Sequence, residues 1–138
     1  MNELRKNGDM FHGVFENSGL EEIFLPTKLS LIAYRAFRGC KNLRSVILPD
    51  CLTYINEECF MESGIECIKI PRNVKTIKAR AFMKCVNLQT VEFSDSLVTI
   101  EQDAFSQCGL KSVEIPRSVT EIGAYAFAIC SALAKVSF

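Results

Sequence analysis

At 138 residues, 49% hydrophobic and 23% charged, the chain is long enough to bury a core and too apolar for wholesale disorder. Sixteen acidic and sixteen basic residues cancel, so no net field steers it toward nucleic acid or an anionic membrane. No apolar run approaches the ~20 residues of a membrane helix, which argues against membrane insertion.

Residues 1–12 match nothing downstream and read as an N-terminal arm or cap, with Met10 and Phe11 available to cover an open end of the core. Their mixed charge and missing apolar segment exclude a secretory signal within this stretch. A complete chain would then be cytoplasmic. From residue 13 to 138 the sequence is repetitive, with an aromatic marker at Phe15, Phe37, Phe60, Phe82, Phe105 and Phe127. The steps between them are 22, 23, 22, 23 and 22 residues, a doubled unit of about 45.

Each copy follows one order. A small residue precedes the Phe (Ala36, Cys59, Ala81, Ala104 and Ala126, with Val14 in the first copy), and a Cys or Ser follows three positions later. Short copies continue Ser18-Gly19-Leu20, Ser63-Gly64-Ile65 and Cys108-Gly109-Leu110, while the long copies take one more residue, as in Cys85-Val86-Asn87-Leu88. Gly in the short version and Asn in the long one suggest a tight, left-handed turn. The next apolar triplets, such as Leu43-x-x-Val46-x-Leu48 and Leu110-x-x-Val113-x-Ile115, end in β-branched alternation that predicts a short strand. Pro26, Pro49, Pro71 and Pro116 close four of these strands, because proline cannot donate to the next rung of a ladder. Crossings such as Leu52-x-x-Ile55 and Val74-x-x-Ile77 predict a second, shorter strand or an extended turn, and the small-Phe segment a single helical or 3₁₀ turn.

A coil of this kind cannot bury its apolar side alone, but stacked coils share one core. The six Phe are therefore expected to stack in one column as structural rungs. The Cys/Ser position is expected to hold a small buried side chain, which explains seven cysteines better than disulfides or a metal. An odd number of cysteines also fits a reducing compartment.

The string Leu-x-x-Val-x-Leu-Pro-x-x-Leu-x-x-Ile-x-x-x-Ala-Phe-x-x-Cys, well shown by residues 43–60, resembles the BspA-like, Treponema-type leucine-rich repeats. Cys59 departs from the usual Ala. The resemblance implies a right-handed solenoid of about six coils with a parallel sheet on its concave face. It also implies a cell-surface or secreted setting if the chain is a fragment, and adhesion to host proteins or other cells.

Catalytic readings fail on the residues. His12 is the sole histidine and has no marked nucleophile beside it. No Cys-x-x-Cys or Gly-rich phosphate loop occurs, and Cys51, Cys59 and Cys67 fall on different parts of a coil. No cofactor, metal site or enzymatic activity is expected.

The informative surface is the outer face of the strands, where alternation displays Glu22 and Phe24, then Ser45 and Ile47, then Cys67 and Lys69. Thr90 and Glu92, Ser112 and Glu114, and Lys135 and Ser137 complete it. Of these, Glu22, Phe24, Ser45, Ile47, Lys69, Glu92 and Glu114 are the candidate contacts for a protein partner, with Phe24 and Ile47 as an apolar patch. Covering of that patch by Phe11 is the competing expectation. Charges also alternate between coils: Arg35, Arg38, Lys41 and Arg44, then Glu57, Glu58, Glu62 and Glu66, then Lys78, Arg80 and Lys84. This favours ion pairs between coils over a charged docking edge. The reading that follows is a non-enzymatic protein-interaction module. The alternative is a structural fragment that self-associates through its C-terminal end, where Phe138 leaves a strand edge open.

Overall fold

The computed structural model describes residues 12–138. Met10, Phe11 and the rest of the expected arm lie outside the described residues, apart from His12. The chain is a parallel-strand solenoid whose coils are marked by the six phenylalanines.

The crossing segments form its continuous sheet. Strands β1 (Tyr54–Ile55), β3 (Thr76–Ile77), β5 (Thr99–Ile100) and β7 (Glu121–Ile122) pair in parallel, Ile55 opposite Ile77 and Ile77 opposite Ile100. Of the two expectations for these crossings, the second strand is the one observed. The apolar-alternating segments give β2 (Cys67–Lys69), β4 (Thr90–Glu92), β6 (Ser112–Glu114) and β8 (Lys135–Ser137). These pair β2 with β4 and β6 with β8, each short coil with the long coil after it. No ladder joins β4 to β6, and residues 22–24 and 45–47 carry no strand ladder.

The glycines of the short coils act differently from the expected left-handed turn. Neither they nor the Asn residues of the long coils have positive φ. Instead a Cβ on Gly64 would collide with the carbonyl of Lys41, and one on Gly109 with that of Val86. The extra residue of each long coil thus lies against a backbone that must carry no side chain.

The expected helical turn is also replaced. Positive φ occurs two residues before every marker Phe, at Gly13, Arg35, Glu58, Arg80, Asp103 and Tyr125, and two residues after it, at Asn17, Gly39, Glu62, Lys84, Gln107 and Ile129. Left-handed residues every four positions break any helical run. They also split the hydrogen bonding. The amides of Ala36, Arg38 and Cys40 donate to carbonyls three residues back, while those of Arg35, Phe37 and Gly39 donate to Glu57, Cys59 and Met61 of the next coil. Every amide in this buried turn is satisfied, alternately within the coil and across it.

Between the two left-handed residues each Phe points inward. Rings stack in one column with centroids 5.1–5.5 Å apart and planes within 16° of parallel. Phe37, Phe60, Phe82 and Phe105 are fully buried, whereas Phe15 and Phe127 are half-buried at the ends of the column. The Cys position does more than hold something small. The thiols of Cys40, Cys85, Cys108 and Cys130 donate to the carbonyls of Phe15, Phe60, Phe82 and Phe105 in the preceding coil at 3.0–3.1 Å. Ser18 and Ser63 stand 3.5–3.6 Å from Cys40 and Cys85. A line of sulfur and hydroxyl groups therefore runs beside the rings.

Candidate interaction surface

The strand segments turn alternate residues inward and outward, which places the sequence-derived candidates on one outer face. Glu22, Phe24, Ser45, Ile47, Lys69, Glu92 and Glu114 are all exposed. Lys69 stands opposite Glu92 in the β2–β4 register, and their charged groups are 4.0 Å apart. Phe24 and Ile47 are 84% and 87% exposed, while Val46 and Leu48 on either side of Ile47 are buried. The two large apolar side chains are held outward by alternation, with no cover from any described residue.

Besides a shallow hollow across Ser45, Ile47, Cys67, Lys69, Thr90 and Glu92, two grooves related by the repeat open at the edge of this face, and sequence reasoning passed over them. The first, about 620 Å³, is lined by Val46, Ile47, Leu48, Asp50, Lys69, Pro71 and Arg72. The second, about 490 Å³, is lined by Val91, Glu92, Phe93, Asp95, Glu114, Pro116 and Arg117, with Ile115 and Phe138. Each lies where a long coil meets the following short coil without a strand ladder. They are the same groove displaced by one doubled repeat. The 45-residue period was visible in the sequence, but the missing ladder beside each groove was not.

The turn side of the coils is already occupied by its own contacts. Arg35, Glu58 and Arg80 share the left-handed position before the Phe and so stack on one another. The carboxylate of Glu58, only 7% exposed as a residue, accepts from Arg35 Nε at 2.6 Å and Arg38 Nη1 at 3.1 Å, with Arg80 Nη1 at 3.6 Å. Bonding to Glu58 raises the Arg35 pKa above its ordinary value. Arg44 pairs with Glu66 at 2.8 Å. Charge alternation along the sequence is thus largely spent between coils, and the basic segment 35–44 offers little free charge.

The thiols fall into two classes. Burial pushes the Cys85 thiol up to about 11, partly opposed by hydrogen bonds from Ser63. Burial also raises Cys40, Cys59, Cys108 and Cys130. Cys51 and Cys67 are exposed, and all seven thiols are free. His12 rests edge-on against Tyr34, with ring centroids 5.9 Å apart. Among the described residues no three His, Cys, Asp or Glu side chains converge in a metal-binding arrangement.

A family model described as BspA type leucine rich repeat region matches residues 10–134 in six copies. The chain belongs to this repeat family. A leucine-rich repeat protein from Bacteroides ovatus ATCC 8483 is similar at 36% identity and a TM-score of 0.90, over 95% of this chain and 35% of that protein. A leucine rich cell surface protein from Faecalibacterium prausnitzii A2-165 is 26% identical with a TM-score of 0.66, over 94% of this chain and 42% of its own length. The pneumococcal vaccine antigen PcpA, at 21% identity and a TM-score of 0.57 over 94% of this chain and 27% of its own, shares the fold. The chain spans less than half of each of these relatives. No curated protein matches the sequence. Membership in the BspA-type repeats accounts for the Phe column, the six coils and the parallel ladders.

Proposed function

We propose that this chain is a non-enzymatic protein-interaction segment that docks a partner on the outer face of its strand segments. One observation carries the reading: Phe24 and Ile47 stand outward, 84% and 87% exposed, on coils ahead of the C-terminal one, where the repeat apolar positions feed the core. An apolar patch bordered by Glu22, Ser45 and Lys69 suits a protein contact better than a solvated surface. The similarity to a leucine rich cell surface protein of F. prausnitzii supports adhesion at a surface as the biological context. Cys67 provides the experiment, since it is exposed on the same face and Cys51 can be removed by Cys51→Ser. A photo-crosslinker placed on Cys67 should capture a partner in its native setting. Capture should be lost in a Phe24→Ser/Ile47→Ser variant that folds normally. Equal capture by that variant excludes the face.

Self-association through the C-terminal coil is a second reading, favoured by the exposure of Ile122, Ile129, Val136 and Phe138 on that coil. Light scattering at tens of micromolar tests it, and a monomer there excludes it.

A further inference from the structure

The two grooves have the same frame and different contents. Val46, Asp50, Pro71 and Arg72 in the first recur as Val91, Asp95, Pro116 and Arg117 in the second. Val46 and Val91 point inward and Pro71 and Pro116 end their strands, while the Asp and Arg side chains of the frame are exposed. The outward pair differs completely: Ile47 and Lys69 in one groove, Glu92 and Glu114 in the other. Since the frame tolerates either pair, the fold does not dictate that difference. It is available for selectivity.

Along the face the outward column therefore reads Phe24, Ile47, Lys69, Glu92 and Glu114: apolar, apolar, basic, acidic, acidic. Lys69 and Glu92 partly neutralise each other across 4.0 Å. Counting every charged lining residue, the first groove (Asp50, Lys69 and Arg72) carries a formal charge of +1 and the second (Glu92, Asp95, Glu114 and Arg117) one of −2, so the two differ in sign. The Phe rings of successive coils are 5.1–5.5 Å apart, and neighbouring parallel strands stand ~4.8 Å apart. The centre of the apolar pair is then roughly 8 Å from Lys69, and Lys69 a similar distance from the midpoint of Glu92 and Glu114. An extended peptide brings alternate side chains to one side every ~7 Å, close to that spacing.

We propose, resting on the docking reading above, that the occupant is an extended peptide lying across the strands. It carries an apolar side chain over Phe24 and Ile47. Two positions along it carries a carboxylate for Lys69 and Arg72, and two further a cation for Glu92 and Glu114. Charge order sets register and selectivity, while the apolar anchor supplies most of the affinity.

Selection from a library of randomised heptapeptides displayed on beads tests this, using the full chain and two variants with native circular dichroism. The native chain should enrich the order apolar, acidic, basic at alternate positions. The charge-reversed variant Lys69→Glu/Glu92→Lys/Glu114→Lys should enrich apolar, basic, acidic, and should bind the native chain's best peptide at least about fivefold more weakly. Phe24→Ser/Ile47→Ser should lose both sets. Peptides that depend on Phe24 and Ile47 but show no charge order, or the same order with the reversed variant, would overturn this inference and leave the docking face standing. If the native chain enriches nothing beyond what Phe24→Ser/Ile47→Ser enriches, this inference and the docking reading fall together.

Discussion

The turn side and the strand side of each coil are cut from the same repeat, yet they repeat different things. On the turn side, position by position, the chemistry recurs: a left-handed residue, a small residue, a stacked Phe, a second left-handed residue, and a thiol or hydroxyl. Its amides are satisfied within and between coils. On the strand side only the inward residues recur, and the outward column changes from Phe24 to Glu114 while Val46, Ile68 and Val113 stay buried. A repeat fold separates stability from recognition in this way, because stacking constrains what touches the neighbouring coil and leaves the remainder free. Substitutions on the two sides should therefore behave oppositely.

The sharpest test is the centre of the Phe column. Phe82 is fully buried and stacked on both sides, at 5.4 Å from Phe60 and 5.1 Å from Phe105. Phe82→Ala should cost about 3–5 kcal/mol, measured by urea unfolding. A loss below 1 kcal/mol would end the claim that this side carries the stability.

Next in size is a pH effect from the thiol line. The Cys85 thiol is pushed from 9.0 up to about 11 by burial. Between those values the unfolded chain releases this proton and the folded chain holds it. Stability is therefore fully present below pH 9 and falls as pH rises toward 11, by as much as about 2–3 kcal/mol for this group alone. Cys85→Ser should flatten that slope, because serine keeps a donor toward the Phe60 carbonyl and does not ionise. Denaturant titrations at pH 8 and pH 11 measure the difference; identical slopes in the two proteins would refute it.

Glu58 probes the charged part of the turn side. Glu58→Gln leaves Arg35, Arg38 and Arg80 facing one another without their shared carboxylate. The arginines are partly solvated, so the loss should be about 2 kcal/mol, less than for a fully buried pair. Adding Arg35→Gln should recover part of it, and failure to do so would mean that the cluster contributes packing alone.

Much of this was legible in one sequence. The 22- and 23-residue steps located the rungs, and alternation around Val46, Ile68 and Val113 assigned outward and inward residues. What was illegible depended on backbone conformation. Arg35, Glu58 and Lys84 are ordinary helix formers, so nothing in their side chains announces positive φ; the stacking of neighbouring coils imposes it. Gly64 looked like a turn residue and is there for the carbonyl of Lys41. Likewise the Cys/Ser alternation suggested size, whereas the donor toward the Phe carbonyl becomes visible only once the coils are stacked. The missing ladders beside the grooves share that origin, since an absent ladder between neighbouring coils leaves no mark in the residues.

The left-handed positions yield a smaller prediction. Ile129 holds φ of 57° although it is β-branched, and its side chain is exposed. Replacing it with glycine removes a strained contact and little burial, so Ile129→Gly should raise stability by about 1 kcal/mol. A loss in differential scanning calorimetry would show that Ile129 is held by packing.

The smallest effect is expected on the strand side, and it decides the comparison. Phe24 and Ile47 touch little, so removing them should leave unfolding free energy within about 0.5 kcal/mol of the parent chain. If Phe24→Ser/Ile47→Ser instead destabilised the protein by 2 kcal/mol or more, the two residues would belong to the core, covered by a segment of the chain itself. The division between a constrained turn side and a free strand side would then fail at its most exposed point. A neutral result with loss of crosslinking at Cys67 has the opposite meaning. Two large apolar side chains that contribute nothing to folding, and whose exposure costs solubility, are then retained for contact with another molecule.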